Sequence, residues 1–527
     1  VKLNALVFLF FQTKSCQFNK ILTTMKKNFL KFLTLAAVLT TPIFFAQDVF
    51  AQTVPPQSLV QLVEAQKFDE ALSLIAAGTD INTPSVDGTT ALHWAAHFGN
   101  AAVAQRLLRA EADVNTRNDY GSSPLMEAAT VGDVEMLKLL LAADADVNAT
   151  NPEGQSALMA VARTGNLAAA ELLLQQGAEI NIAENWGGQT ALMWAAARQQ
   201  PAMVELLLAN GADPDQRAID RDWERRVTAE PRVKEMLTGG FTALLYAVRE
   251  DCMDCVKQLL AAGADINKPD PDNVSALILA LLNMRFDIAK YLIEQGADVN
   301  QWDYWGRTPL YAVADTNILP ASVRGDLPPV QNTKGIEVAR LLLERGANPN
   351  YFLKLSVPPR NIVNDRGGDN PVMTTGSTPL QRAAYGCDIE MMQLLLENGA
   401  DLQLANVNGV SPMIALTNPG GSRNRNKSEA TVMQGLTVLM AAGADINQQG
   451  GLNGETPLHT TVRLNWPEVV KFLVAQGADL NAKDKRGLIP LDYATGKADS
   501  QSFGNFNVVG ELPEMTVLIQ GLMATKL

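Results

Sequence analysis

One short phrase recurs along this chain of 527 residues and limits what it can fold into. LIAAGTDIN begins at Leu74, LLRAEADVN at Leu107 and LLAADADVN at Leu140. LLQQGAEIN, LLANGADPD, LLAAGADIN, LIEQGADVN, LLERGANPN, LLENGADLQ, LMAAGADIN and LVAQGADLN follow. The fifth position of the phrase falls at Gly78, Glu111, Asp144, Gly177, Gly211, Gly263, Gly296, Gly346, Gly399, Gly443 and Gly477. Undisturbed copies lie 33 or 34 residues apart, and the other spacings are 52, 50, 53 and 44. A fixed period of this kind marks an array in which each unit buries its apolar face on its neighbours. That reading replaces the three or four separate domains that length alone suggests.

Each unit has a physical grammar. A Gly opens it, as at Gly88, Gly121, Gly154 and Gly306, and in most units Thr or Ser follows two residues later, then Pro or Ala, then Leu. The hydroxyl caps a helix start, and Pro is tolerated in the first turn, where its missing N–H had no helical partner. A short Ala-rich helix follows, whose small inner side chains let neighbouring helices approach. A second helix carries the Leu-Leu pair, and the Gly after it accepts the left-handed backbone that ends a helix. Glu111 and Asp144 break this rule, and Glu111 is the weaker of the two, because Asp tolerates that conformation better.

TALHWAAHFGNAAVAQRLLRAEADVN and TPLHTTVRLNWPEVVKFLVAQGADLN resemble the ankyrin repeat, and the resemblance covers about residues 57–527. It implies an all-α ankyrin-repeat solenoid with short β-hairpin loops and about eleven units including caps. Residues 57–86 read as an N-terminal capping repeat, 87–486 as the repeats and 487–527 as a C-terminal capping repeat. The long spacings place insertions near 214–239, 315–334, 351–375 and 417–429. The first and third of these interrupt hairpins and are expected to overhang the groove. The other two fall between the helices of a unit, and Arg423, Arg425 and Lys427 in the last read as a solvated basic loop.

His93 and His97 lie one helical turn apart, a spacing that metal sites use. The resemblance explains His93, which like His459 holds the fourth place of the TPLH phrase and is expected to bridge backbone groups of neighbouring units. With no third His nearby and no HExxH, no metal site is expected. There is no GxSxG, no phosphate-cradling GxxxxGK[ST] and no GxGxxG placed between a strand and a helix. No cofactor and no catalytic residue are expected.

In this fold the first helices and hairpins line a concave side. Counting from the Thr of TPLH, positions +4 and +7 share a helix face turned to that groove. They hold Trp94, His97, Glu127, Arg163, Trp194, Tyr246, Arg249, Arg382, Tyr385 and Arg463. The hairpin WDYWG adds Trp302, Tyr304 and Trp305. Aromatic residues and Arg are enriched where binding energy concentrates, so these thirteen are the candidate partner-binding residues; the alternative for the aromatics is that they fill gaps between units. In EDCMDC, Cys252 and Cys255 fall in the first turn of a second helix, where a disulfide or a reactive thiol can form. Cys387, three repeats on, is too distant to pair with either.

The N-terminal region reads as a leader. From Met25, a basic head of Lys26, Lys27 and Lys31 precedes an apolar run, and Val49-Phe50-Ala51 presents small residues at the cleavage positions, so cleavage is expected after Ala51. Residues 1–24 have no evident role and read as upstream of the true start. No apolar run is long enough to span a bilayer stably. Removing residues 1–51 takes away six Lys and one Asp and moves the formal charge from −13 to −18, a poor match to nucleic acid. The combined expectation is an exported bacterial protein, periplasmic or secreted, monomeric and non-catalytic, that binds a protein partner through the groove and the hairpin insertions. The alternatives are an accessory or inhibitor of a periplasmic redox enzyme, or a binder of a small molecule or glycan in an aromatic-lined pocket.

Overall fold

The computed structural model describes residues 57–225, 234–317, 331–356, 374–418, 427–498 and 510–525. The leader, Arg423, Arg425 and the middles of all four insertions lie outside the described residues. Residues 58–527 form one unit.

Among the described residues, helices follow one another in pairs. They run Leu59–Glu64 with Phe68–Ala76, Ala91–His97 with Ala101–Arg109, Pro124–Val131 with Val134–Leu141, and Ala157–Thr164 with Leu167–Gln175. Ala191–Ala197 with Pro201–Ala209, Ala243–Arg249 with Met253–Ala261, Ala276–Leu282 with Phe286–Glu294, and Pro309–Thr316 with Gly335–Glu344 come next. Pro379–Gly386 with Ile389–Glu397, Pro412–Thr417 with Glu429–Ala441, Pro457–Arg463 with Pro467–Ala475, and Pro490–Ala494 with Pro513–Thr525 complete the series. The last pair is not followed by a copy of the phrase, so counting copies gives one unit too few.

First helices stack on first helices and second on second. The inner alanines, such as Ala95, Ala96, Ala128, Ala129, Ala195 and Ala196, are fully buried in the stack. Leu107, Leu140, Leu173 and Leu207 from the second helices are equally buried, and truncating one of them to Ala costs about 2–5 kcal/mol. The starts behave as the hydroxyl pattern predicts. Ser123, Ser156, Thr190, Thr242, Ser275, Thr308 and Ser411 each accept a hydrogen bond from the backbone N–H three residues on. After the second helix the backbone turns left-handed, with φ +87° at Gly177 and +91° at Gly263, while Glu111 and Asp144 are held at φ 66° and 62°. A side chain there costs about 1–2 kcal/mol.

The ADxN ending of the phrase has its own geometry. Its Asp closes a local turn by accepting the N–H two residues on, as Asp113 does from Asn115 at 3.0 Å and Asp146 from Asn148 at 3.0 Å. Its Asn reaches to the next unit. Asn115 Oδ1 accepts from Asp146 N at 2.8 Å while its Nδ2 donates to the Asp144 carbonyl at 3.1 Å. Asn148, Asn300 and Asn350 repeat the double contact. Exposed backbone groups are thereby tied across unit boundaries.

Several hairpin tips are closed by one polar side chain at the base. Asn118 Oδ1 accepts from the N–H groups of Tyr120 and Ser122, Asp303 Oδ1 from Trp305 and Arg307, and Asp484 Oδ1 from Arg486 and Leu488. In two units an apolar residue, Ala218 or Leu353, takes this place, and both side chains are buried. At these two positions the hairpin runs on into an insertion. Ala218 still pairs with Phe241 and Leu353 with Ser377, as Asn118 does with Ser122. Beyond Ala218 the backbone forms two antiparallel strands, β1 (Asp220–Arg225) and β2 (Lys234–Gly239), in register Asp220 to Gly239.

Candidate interaction groove

His93 is occupied by architecture. Its Nδ1 accepts from Thr90 N at 3.1 Å, so Nε2 carries the proton and donates to the Ser122 carbonyl of the next unit at 2.9 Å. His459 does the same between Thr456 and Leu488. Burial holds both imidazoles below their ordinary pKa, and both stay neutral. Gln381 performs the same bridge in another unit, with Oε1 accepting from Thr378 N and Nε2 donating to the Leu404 and Val410 carbonyls. His97, one turn on from His93, points elsewhere: its Nδ1 lies 3.0 Å from Glu127 Oε2 on the neighbouring first helix.

Five of the thirteen candidate residues fall on one stretch of the groove, on four successive first helices. Trp94 stacks on Phe98 with ring centroids 5.6 Å apart and meets the edge of His97 at 5.8 Å. Glu127 is held between His97 and Ser122 Oγ, which donates to its Oε1 at 2.6 Å. The Arg163 guanidinium lies 5.4 Å from the Trp194 ring centroid. Trp94 and Trp194 are half-buried, and each indole Nε1 is enclosed without a hydrogen-bond partner. Trp194 and Arg163, but not Trp94, line a cleft of about 500 Å³ that is walled by the hairpin tips at Tyr120 and Pro152 and floored by Met126 and Met159. Tyr120 is 70% exposed at its mouth.

The remaining candidates divide. Tyr246 does not face the groove as expected but is buried in the stack, where its hydroxyl accepts from Gln189 Nε2 at 2.6 Å and its ring meets Phe241. The +4 position lies close enough to the neighbouring unit for a large ring to bridge the two. Trp305 is likewise buried, under the Arg307 guanidinium. Arg249 is exposed but lies over the Tyr246 ring and pairs with Glu250 at 2.7 Å. Arg382 and Arg463 are recessed, each in an ion pair, with Asp315 at 2.5 Å and Glu455 at 3.0 Å. Tyr385 is half-buried with the Lys427 ammonium 5.1 Å from its ring centroid. Lys427 is not in a solvated loop: its Nζ donates to the carbonyls of Tyr385, Ala415 and Asn418. Burial pulls its pKa down to about 8. The register of a repeat gives a side chain's direction but not what the neighbouring insertion lays over it.

Trp302 and Tyr304 are exposed, at 42% and 57%. Lys354 Nζ covers one face of Trp302 at 4.2 Å. The structure adds Tyr351 and Phe352, also exposed, to this patch, because Lys354 N bonds the Trp305 carbonyl and sets the two hairpins side by side. Sequence reasoning missed these two and Tyr120. Their signal is the presence of aromatics within hairpins outside the WDYWG run.

Cys252 and Cys255 are joined in a disulfide at the start of helix Met253–Ala261, where Cys252 takes the cap position that Asn100 and Asp133 hold in other units. Both sulfur-bearing residues are buried, and Cys387 is a buried free thiol. No helix among the described residues is long and apolar enough to cross a membrane.

The family described as "Ankyrin repeats (3 copies)" matches residues 59–151, 128–218, 244–321 and 428–512, and "Ankyrin repeat" matches 375–407. Transient receptor potential cation channel subfamily A member 1 of Drosophila melanogaster is 29% identical over 123 residues, 23% of this chain and 10% of that protein. Neurogenic locus Notch protein of the same organism is 38% identical over 105 residues, 19% of this chain and 4% of that protein. Human Ankyrin repeat and SOCS box protein 5 is 42% identical over 60 residues, 11% of this chain and 18% of that protein. The matched region is thus less than a fifth of each relative, and the likeness is one of repeats. The family matches cover more than half of the chain, and together with the capped helix pairs, the inter-unit Asn contacts and the His bridges they show that the chain belongs to the ankyrin-repeat family.

Proposed function

We propose that this protein is an exported, monomeric, non-catalytic binding module that takes up a protein partner along the groove stretch of Trp94, His97, Glu127, Arg163 and Trp194. Ankyrin repeats generally mediate protein–protein interaction. The observation that carries the assignment to this stretch is the cleft that ends at the half-buried Trp194 ring and Arg163, with the half-buried Trp94 ring beyond two intervening first helices along the same face. Partly buried rings of this kind release apolar surface from water on contact and give binding energy its centre. The exposed patch of Trp302, Tyr304, Tyr351 and Phe352 offers a second contact along the hairpin side. Export is supported by the leader pattern at 25–51 and by the disulfide, a bond that persists in oxidising compartments. The thiol-exchange alternative lacks an accessible sulfur, since both cysteines are buried and joined. A crosslinked capture from cell-envelope extract tests the groove. Wild type is expected to retain a partner that the Trp94→Ala, Trp194→Ala double variant loses, and equal recovery by both removes the assignment.

A further inference from the structure

The charges around the cleft are unevenly engaged. Glu127 is held by His97 and Ser122, and Arg163 lies on the Trp194 ring. Asp119 and Glu153, on the two hairpin tips that wall the cleft, are exposed, and neither carboxylate has a hydrogen-bond or ion-pair partner among the described residues. Beside them Tyr120 presents an open ring face. Below them Met126 and Met159 form an apolar floor. The Trp194 side chain, under the Arg163 guanidinium, also lines the cleft.

From this arrangement we infer that the cleft receives an arginine side chain carried on an extended segment of the protein partner. The inference rests on the groove reading above and names the chemistry the groove selects. A guanidinium brings five donors in a planar fork that suits carboxylates and stacks flat on an aromatic ring. Asp119 and Glu153 supply the carboxylates and Tyr120 the ring. The aliphatic stem of the arginine lies along Met126 and Met159, which accommodate it without a polar demand. An acidic segment would meet two unneutralised carboxylates and the −13 formal charge of the chain. The same charge speeds the encounter with a cationic partner.

The test uses the full chain and three blocked pentapeptides with arginine, leucine or glutamate at the centre, titrated calorimetrically at low salt. The arginine peptide is expected to bind at least tenfold more tightly than the glutamate peptide and to weaken as salt rises. The Asp119→Asn, Glu153→Gln variant is expected to bring it down to the level of the leucine peptide. Glu171→Gln, an exposed carboxylate on helix Leu167–Gln175, is expected to leave binding unchanged. An arginine peptide that binds no better than the glutamate peptide, or a Glu171→Gln variant as impaired as the double one, overturns the inference. Failure here is separable from failure of the groove. If envelope capture is lost with the tryptophan double variant but kept in full by Asp119→Asn, Glu153→Gln, the groove stands and the arginine reading falls.

Discussion

Asp270 closes a hairpin tip by accepting from Val274 N at 2.8 Å, the role that Asn118, Asn151 and Asn406 play elsewhere. Asp270 carries a penalty that asparagine does not. Burial raises its carboxyl from 3.8 to about 6, and the Asp272 and Asp303 charges add to the shift while the Val274 N–H opposes it. Because the folded value lies above the unfolded one, this group's stability is fully present below the unfolded pKa. It is lost as pH rises through about 6. At about 1.4 kcal/mol per unit, the rise from 3.8 to about 6 amounts to roughly 3 kcal/mol at pH 7, an upper bound for a partly exposed residue. Asp270→Asn keeps the acceptor and removes the charge. It should therefore stabilise this unit by about 2–3 kcal/mol at pH 7 and by less than about 1 kcal/mol at pH 4. Long arrays need not unfold in one step, so the readout is hydrogen exchange of peptides spanning 264–282 across a urea series at both pH values. A gain of equal size at both pH values, or destabilisation at pH 7, refutes the reasoning.

Further tests address the bridges and the disulfide. His93→Leu strands the Thr90 N–H and the Ser122 carbonyl inside the stack and should cost about 2–4 kcal/mol in urea unfolding. His93→Gln should stay within about 1 kcal/mol of wild type, since Gln381 already makes that bridge. His93 and His459 have folded pKa values below the unfolded one, so wild-type stability is present above about pH 6.5 and falls as pH drops below it. A His93→Gln, His459→Gln variant should lose less between pH 7 and pH 5, and identical acid profiles would count against the neutral bridges. Thiol titration in denaturant of protein recovered from the cell envelope should give one thiol per chain, Cys387, whereas the full reduced chain contains 4 Cys. A count of three there would dismiss the disulfide.

How far the sequence could be read depends on how far each residue obeys the period. The capped helix starts, the left-handed C-terminal position and the His93 bridge follow from the register alone, because a repeated residue has a repeated environment. The left-handed backbone at Glu111 and Asp144 was equally legible as a departure from Gly. Tyr246, Trp305 and Lys427 were not. Tyr246 spans to Gln189 across the insertion that contains β1 and β2, Trp305 lies under Arg307, and Lys427 caps carbonyls at the ends of two first helices. In each, burial comes from a non-periodic neighbour, about which a periodic pattern says nothing. The Asp119 and Glu153 pair escaped notice for the opposite reason: carboxylates are so common at fixed hairpin positions that only geometry separates the unengaged from the engaged.

The exchange of a polar tip anchor for Ala218 or Leu353 bears on how such chains acquire new parts. A hairpin whose base is held by an aliphatic plug and two main-chain pairings no longer dictates what lies beyond it. Foreign segments of differing length can then be spliced in without disturbing the stack beneath. The two plugged hairpins are thus natural graft points, and an engineer wanting a third could begin by replacing Asn118 or Asn406 with a small apolar residue and lengthening the tip.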